Sequence, residues 1–233
     1  MLADIRKIRL LTSEPEALLV YIESLSNSQF RHVSKLLGEQ ILKDVSVDDF
    51  WKIFKTLFFH DRKAYLGTLI KALVQRMQAI SPLLEGKALE SSGIWNSDFA
   101  ELCRALNETD RKKLLVTLLP LLSSPIDVER LLLQCGLQEY VDWIPYLLQV
   151  QSMPCAYLLL KALRYVESDR ALLIRTCHFL MKRGDSQSFN LASLLRLSFG
   201  LEEVRGTFSL SLEPYQLSRV EQNYDAFIQV MRF

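Results

Sequence analysis

Two runs decide the fold: Lys112–Leu122, KKLLVTLLPLL, and Arg170–Met181, RALLIRTCHFLM. At about 100° per residue, the Leu and Val side chains of the first run point in nearly every direction round a helix. The second run does the same, with only Arg175 and His178 marking a polar edge. Helices that are apolar on all sides belong in a protein interior. The stretch Asn107–Gly184, which holds both, is therefore expected to lie at the centre, with the other helices shielding it.

Boundary signals outward from these runs divide the second half into short helices. Asn107 is placed to cap one helix, and Pro120 should kink or end it. Ser124-Pro125 starts another, which Gly136 ends. Gln138–Val150 follows, bent at Pro145. Ser152 starts a helix through Val166, and Ser168-Asp169 starts one that Gly184 stops. Asp185 or Ser186 then begins a helix to about Ser198. Gly206–Leu212 alternates apolar and polar residues but has no second run to pair with, so an extended loop is expected over Gly200–Glu213. Pro214 leads a final helix to about Met231.

The first half reads as four helices. Ser13 is placed to cap Glu14–Leu25, and Asn27 or Ser28 opens a helix to about Lys43. Ser46 caps Val47–Phe59, and Asp61 caps Arg62–Gln78. Met1–Leu11 adds a short helical candidate. Within Val47–Phe59, Phe50, Ile53, Phe54 and Leu57 form a core stripe. Trp51 and Phe58 widen it, and Phe59 lies off it. Such breadth fits a wedge between two helices or, alternatively, an aromatic contact surface for a partner made by Trp51, Phe58 and Phe59.

The expected organisation is an N-terminal helical bundle over 1–80, a linker or long loop over 81–95, and a C-terminal helical array over 96–233. One continuous domain is the alternative. From Asn107 onward the helices come in pairs, each pair with its turns taking roughly 28–32 residues. In unit length, though not in motif, this is similar to HEAT-like helical arrays. The fold class is all-α with about 10–12 helices, either a HEAT-like α-solenoid of helical hairpins or an irregular multi-helix bundle.

Composition limits the function classes. The 233 residues are 49% hydrophobic and 24% charged, and Lys plus Arg (28) nearly balances Asp plus Glu (27). A net charge of +1 gives no global reason to expect nucleic acid or an anionic membrane. Cys103, Cys135, Cys155 and Cys177 form no C-x-x-C pair and read as small buried hydrophobes in a reducing, cytoplasmic compartment. Met1–Leu11 does not read as a signal peptide. Trp143–Leu160 carries no formal charge, but Pro145, Gln149, Gln151, Ser152 and Pro154 interrupt it, whereas a membrane span needs roughly 20 mostly apolar residues. Two helices with no span are expected.

Catalytic patterns are missing from the sequence. His32, His60 and His178 form no metal-binding pair, and no phosphate-cradling glycine loop or G-x-S-x-G occurs. Cys177 and His178 are neighbours about 100° apart on one helix, so they do not face each other as a dyad. Arg183-Gly184-Asp185 spells RGD, but a helix stop followed by a helix cap accounts for it. Arg104, Arg111, Lys112 and Lys113 gather near a helix start, against the helix dipole, and are the candidate phosphate contacts. Glu101, Glu108 and Asp110 lie among them.

The reading that results is a protein that binds another protein, a scaffold or adaptor module without catalytic residues, cofactor or metal. Its alternatives are a nucleic-acid-binding helical protein using that basic patch, and an enzyme or apolar-ligand carrier with an unrecognised pocket. Partner identity and oligomeric state are not encoded in any motif.

Overall fold

The structure is a computed structural model that describes residues 2–37, 45–60, 67–70, 72–73, 97–206 and 208–232. Among the described residues there are helices and no strand. The chain divides into two compact units, Met1–Ala105 and Leu106–Phe233. The linker expected at 81–95 lies outside the described residues.

The N-terminal unit contains α1 (Leu2–Leu11), α2 (Pro15–Glu23), α3 (Asn27–Leu36), α4 (Val47–His60) and α5 (Ser97–Ala105). Ser46 caps α4 as expected, its hydroxyl accepting from the Asp49 amide at 3.0 Å. Ser13 does not cap α2; its hydroxyl turns back to the Leu10 carbonyl. The stripe Phe50, Ile53, Phe54 and Leu57 is buried. α2 packs on α1 and α4. Trp51 meets Phe99 of α5 edge-on at 5.9 Å, and Lys55 pairs with Glu101 at 3.4 Å. These contacts join α5 to this unit, so the boundary falls at Ala105/Leu106.

The C-terminal unit runs α6 (Glu108–Leu118), a 3-10 turn (Leu119–Leu121), α7 (Pro125–Gln134), α8 (Tyr140–Leu147), α9 (Met153–Arg164), α10 (Arg170–Arg183), α11 (Ser186–Phe199), α12 (Pro214–Gln222) and α13 (Tyr224–Met231). The caps explain the boundaries. Side-chain oxygens of Asn107, Ser124, Ser152, Asp169 and Asp185 each accept an orphan amide of the helix they precede. Gly184 and Gly200 end α10 and α11 in the left-handed region, at φ 73° and 56°. Pro120 converts the end of α6 into the 3-10 turn.

Two expectations about this unit are corrected. The final helix is two helices, because Asn223 takes an extended conformation (φ −123°, ψ 120°) and caps α13 through the Asp225 amide. The centre also lies elsewhere within Asn107–Gly184 than in the two runs that composition singled out. Arg170–Met181 buries Leu173, Thr176, Cys177 and Leu180 but leaves Ala171, Arg175, His178 and Phe179 in water. In Lys112–Leu122 only the side carrying Leu114, Leu115, Leu118, Leu119 and Leu122 is fully enclosed.

The enclosed helix is α9, in which every residue from Pro154 to Leu160, together with Ala162 and Leu163, is buried. It packs against α7, α8, α12 and α13. Its small residues, Cys155, Ala156 and Ala162, let neighbours approach on sides where a larger side chain would hold them off. Successive helices pair as α8 with α9, α10 with α11 and α12 with α13, and α13 also packs on α11. Among the described residues no helix is long and apolar enough to cross a membrane.

Candidate functional site

The candidate partner contacts divide. Trp51 is 3% exposed and lies in the core of the N-terminal unit, against Phe50, Phe54 and Phe99. It builds that unit's interior. The side chains of Phe58 and Phe59 lie outside the described residues.

The candidate phosphate contacts also separate. Arg104 is exposed on the last turn of α5, in the N-terminal unit. Arg111, Lys112 and Lys113 open α6 in the other unit, and Lys112 and Lys113 are exposed. Arg111 is half-buried and donates to the Leu106 carbonyl at 3.2 Å. Arg111 and Lys112 line a groove of about 510 Å³ with Glu108, Val141, Asp142 and Pro145, above Leu137 and Tyr146. Burial pushes the Tyr146 phenol above its ordinary range; Arg111 opposes the shift, and Glu108 and Asp142 add to it. Two carboxylates and two cations therefore line the same groove, a mixed field rather than a phosphate cradle.

A second feature is formed by residues from three parts of the chain. Tyr165, in the turn after α9, is 68% exposed. Its ring lies flat on Tyr140, with centroids 4.3 Å apart and planes 5° apart. Tyr140 packs on Trp143 at 4.4 Å, and its hydroxyl donates to Glu129 at 3.4 Å. The buried Trp143 indole donates to the Leu137 carbonyl at 3.1 Å. Burial, then the neighbouring Glu129 and Tyr165, raise the Tyr140 phenol. Beside Glu129 on the outer side of α7 stand Ile126 and Leu133, both exposed. The result is an exposed aromatic ring held from below.

The cysteines Cys155 and Cys177 are inward, and the charged groups of the RGD sequence are engaged. Cys177 is buried, with its thiol 3.8 Å from the Ala192 carbonyl, and burial pushes it up to about 12. His178 is exposed, so no dyad forms. Burial raises Cys155 to about 11, although Ser152 lowers it slightly. In the RGD sequence, Arg183 donates to the Leu148 carbonyl at 2.9 Å and Asp185 caps α11 through the Ser188 amide at 2.8 Å. Among the described residues, no group of three or more His, Cys, Asp or Glu side chains is placed to hold a metal ion.

Sequence periodicity gave no access to the Tyr140–Tyr165 stack, because Tyr140 opens α8 and Tyr165 lies in the turn after α9. Comparison with family models, with curated proteins and with solved structures returned no match.

Proposed function

We propose that this chain is a non-catalytic protein-interaction module of the scaffold or adaptor kind, built from paired helices. The observation that carries the reading is Tyr165, a large aromatic side chain left in water yet fixed flat on Tyr140. Tyrosine offers a wide amphipathic contact at small entropic cost, and a ring already stacked loses still less freedom on binding. Ile126 and Leu133 add exposed apolar area on the face of α7 that carries Glu129, the partner of the Tyr140 hydroxyl.

The finer architecture belongs to the same reading. An irregular bundle is favoured over a HEAT-like solenoid because the last pair, α12 and α13, touches α9, and α13 also touches α11. Repeats in a solenoid meet only their immediate neighbours. Four free, buried cysteines support a reducing, cytoplasmic setting. The nucleic-acid alternative rests on Arg111, Lys112 and Lys113, and the carboxylates of Glu108 and Asp142 in the same groove weigh against it.

The test places a photo-crosslinking phenylalanine analogue at position 165 in cells of the native source. The control places it at Ser218, which is also exposed. Discrete cross-linked proteins are expected from 165 alone, and Tyr140→Ala, which removes the ring beneath, should reduce them. An uncrosslinked chain from 165, or the same products from both positions, would overturn the reading.

A further inference from the structure

We infer that the outer face of α10 is a second docking surface, and that its occupant is an acidic amphipathic helix of another protein. At 100° per residue, Ala171, Arg175, His178, Phe179 and Lys182 fall within an arc of about 100° of the helix circumference. All five are exposed. At 1.5 Å per residue the stripe is about 16 Å long, or three turns. It holds two permanent cations, a histidine and a phenylalanine that is 45% exposed. It contains no carboxylate.

The charge on this face is not neutralised by the fold. Glu203 is engaged by Arg170, with contacts of 2.6 and 2.7 Å. Asp185 is engaged by Ser188, Gln151 and Arg183. Glu202 is paired with Arg196 at 3.0 Å. Among the described residues, neither Arg175 nor Lys182 has a carboxylate partner. Positive charge therefore persists at both ends of a segment whose middle is aromatic, and charge complementarity selects an acidic occupant.

The spacing specifies that occupant further. Arg175 and Lys182 are seven residues apart, about 10.5 Å along the axis, with Phe179 between them. A helix lying alongside would carry Glu or Asp at i and i+7 and Leu or Phe at i+3 and i+4, one acidic residue for each cation and an apolar pair over Phe179. Two permanent cations would give a nucleic acid only a shallow salt slope, and an unpaired aromatic blocks the line a phosphate backbone would take. One phenylalanine likewise offers a membrane surface too little apolar area.

The probe is a synthetic fluorescein-labelled helical peptide with Glu at i and i+7 and Leu at i+3 and i+4. A version with Lys for Glu is the control. Anisotropy is read on the full-length protein, with single-stranded RNA, duplex DNA and phosphatidylserine vesicles in parallel. The acidic peptide should bind at least tenfold tighter than its Lys version. The double variant Arg175→Glu/Lys182→Glu should reverse that order, and Phe179→Ala should weaken binding to the wild-type arrangement severalfold. All three side chains are exposed, so helical circular dichroism should be unchanged in the variants, which separates lost docking from lost folding. Equal binding of both peptides, no reversal in the double variant, or tighter binding of RNA, DNA or vesicles would overturn the inference. The Tyr165 surface is not involved, so cross-linking there can succeed or fail independently.

Discussion

Leu160→Ala and Phe179→Ala test whether α9, and not α10, is the interior of the C-terminal unit. Leu160 is 0% exposed in the middle of α9. Truncation to Ala removes about three carbons, worth about 2 kcal/mol in transfer free energy at ~0.8 kcal/mol per methylene. The space left behind adds about 1–2 kcal/mol, since helices packed on several sides cannot all move in to fill it. The expected loss is therefore about 3–4 kcal/mol, against the roughly 5–15 kcal/mol that stabilises a typical domain. Phe179 is the larger side chain, but nearly half of it is already in water. Its truncation should cost about 1 kcal/mol, less a few tenths for the better helix propensity of Ala. Urea unfolding in a Trp51→Phe/Trp95→Phe background leaves Trp143 as the only indole, reporting on this unit. With a slope near 1.5 kcal/mol/M, the midpoint should fall by about 2 M for Leu160→Ala and by under 1 M for Phe179→Ala, at constant slope. Equal losses, or the larger loss at Phe179, would refute the assignment of α9 as the core.

The remaining predictions concern the same unit. Trp143→Phe keeps an aromatic side chain but shrinks it and removes the bond to the Leu137 carbonyl, and should lower stability by at least about 1–2 kcal/mol in the same urea titration followed by circular dichroism. Gly184→Ala places a side chain at φ 73° with open space round it, so backbone strain alone acts, about 1 kcal/mol, seen as a melting temperature lower by about 4 °C. Cys155 and Cys177 have folded values raised by burial, to about 11 and about 12, from an ordinary value of 9.0. Their contribution is thus fully present below pH 9 and is lost as pH rises from there towards 12, because unfolded thiols ionise first. Urea midpoints at pH 8, 9 and 10 should decline, and a thiol-disulfide reagent should react with both cysteines only slowly until the chain is unfolded. Burial alone would raise the Asp185 carboxyl, but the bonds from Ser188 and the charge of Arg183 hold it below 3.8. Its share of stability is present above that value and is lost as pH falls through the lowered one, so Asp185→Asn should flatten the acid limb of the stability curve.

Local chemistry was legible at most helix ends in the C-terminal unit, where one residue decides the outcome. Asn107, Ser124, Ser152, Asp169 and Asp185 each supply an oxygen where a helix has a spare amide, and Gly184 and Gly200 end helices where other residues would be strained. Asn223 could have been read in the same way. It was hidden because Leu217, Val220, Tyr224, Phe227 and Ile228 keep a helical rhythm across it, and periodicity counts side chains without sensing one extended residue between them. The choice of central helix was less accessible. Arg170–Met181 and Met153–Arg164 are similarly rich in apolar residues, and mean composition cannot rank them. The separating signal was the position of charge: Arg175, His178 and Lys182 at steps of three and four share one face, which water must reach.

The two surfaces differ in how the sequence encodes them, and that difference bears on how each would bind. The α10 stripe is local: one helix presents it, its order follows from helical geometry, and its selectivity comes from charge, so salt should weaken it. The Tyr165 patch is non-local. Its ring rests on Tyr140, Tyr140 on Trp143, and Trp143 is tied through its indole to the Leu137 carbonyl. Each layer is more buried than the one above, so the surface ring inherits rigidity from the core. Preorganisation of this kind lowers the entropic cost of association, and apolar burial is little affected by salt. A partner engaging both surfaces would therefore lose one contribution at high ionic strength and keep the other. Salt dependence measured before and after Tyr140→Ala would separate them.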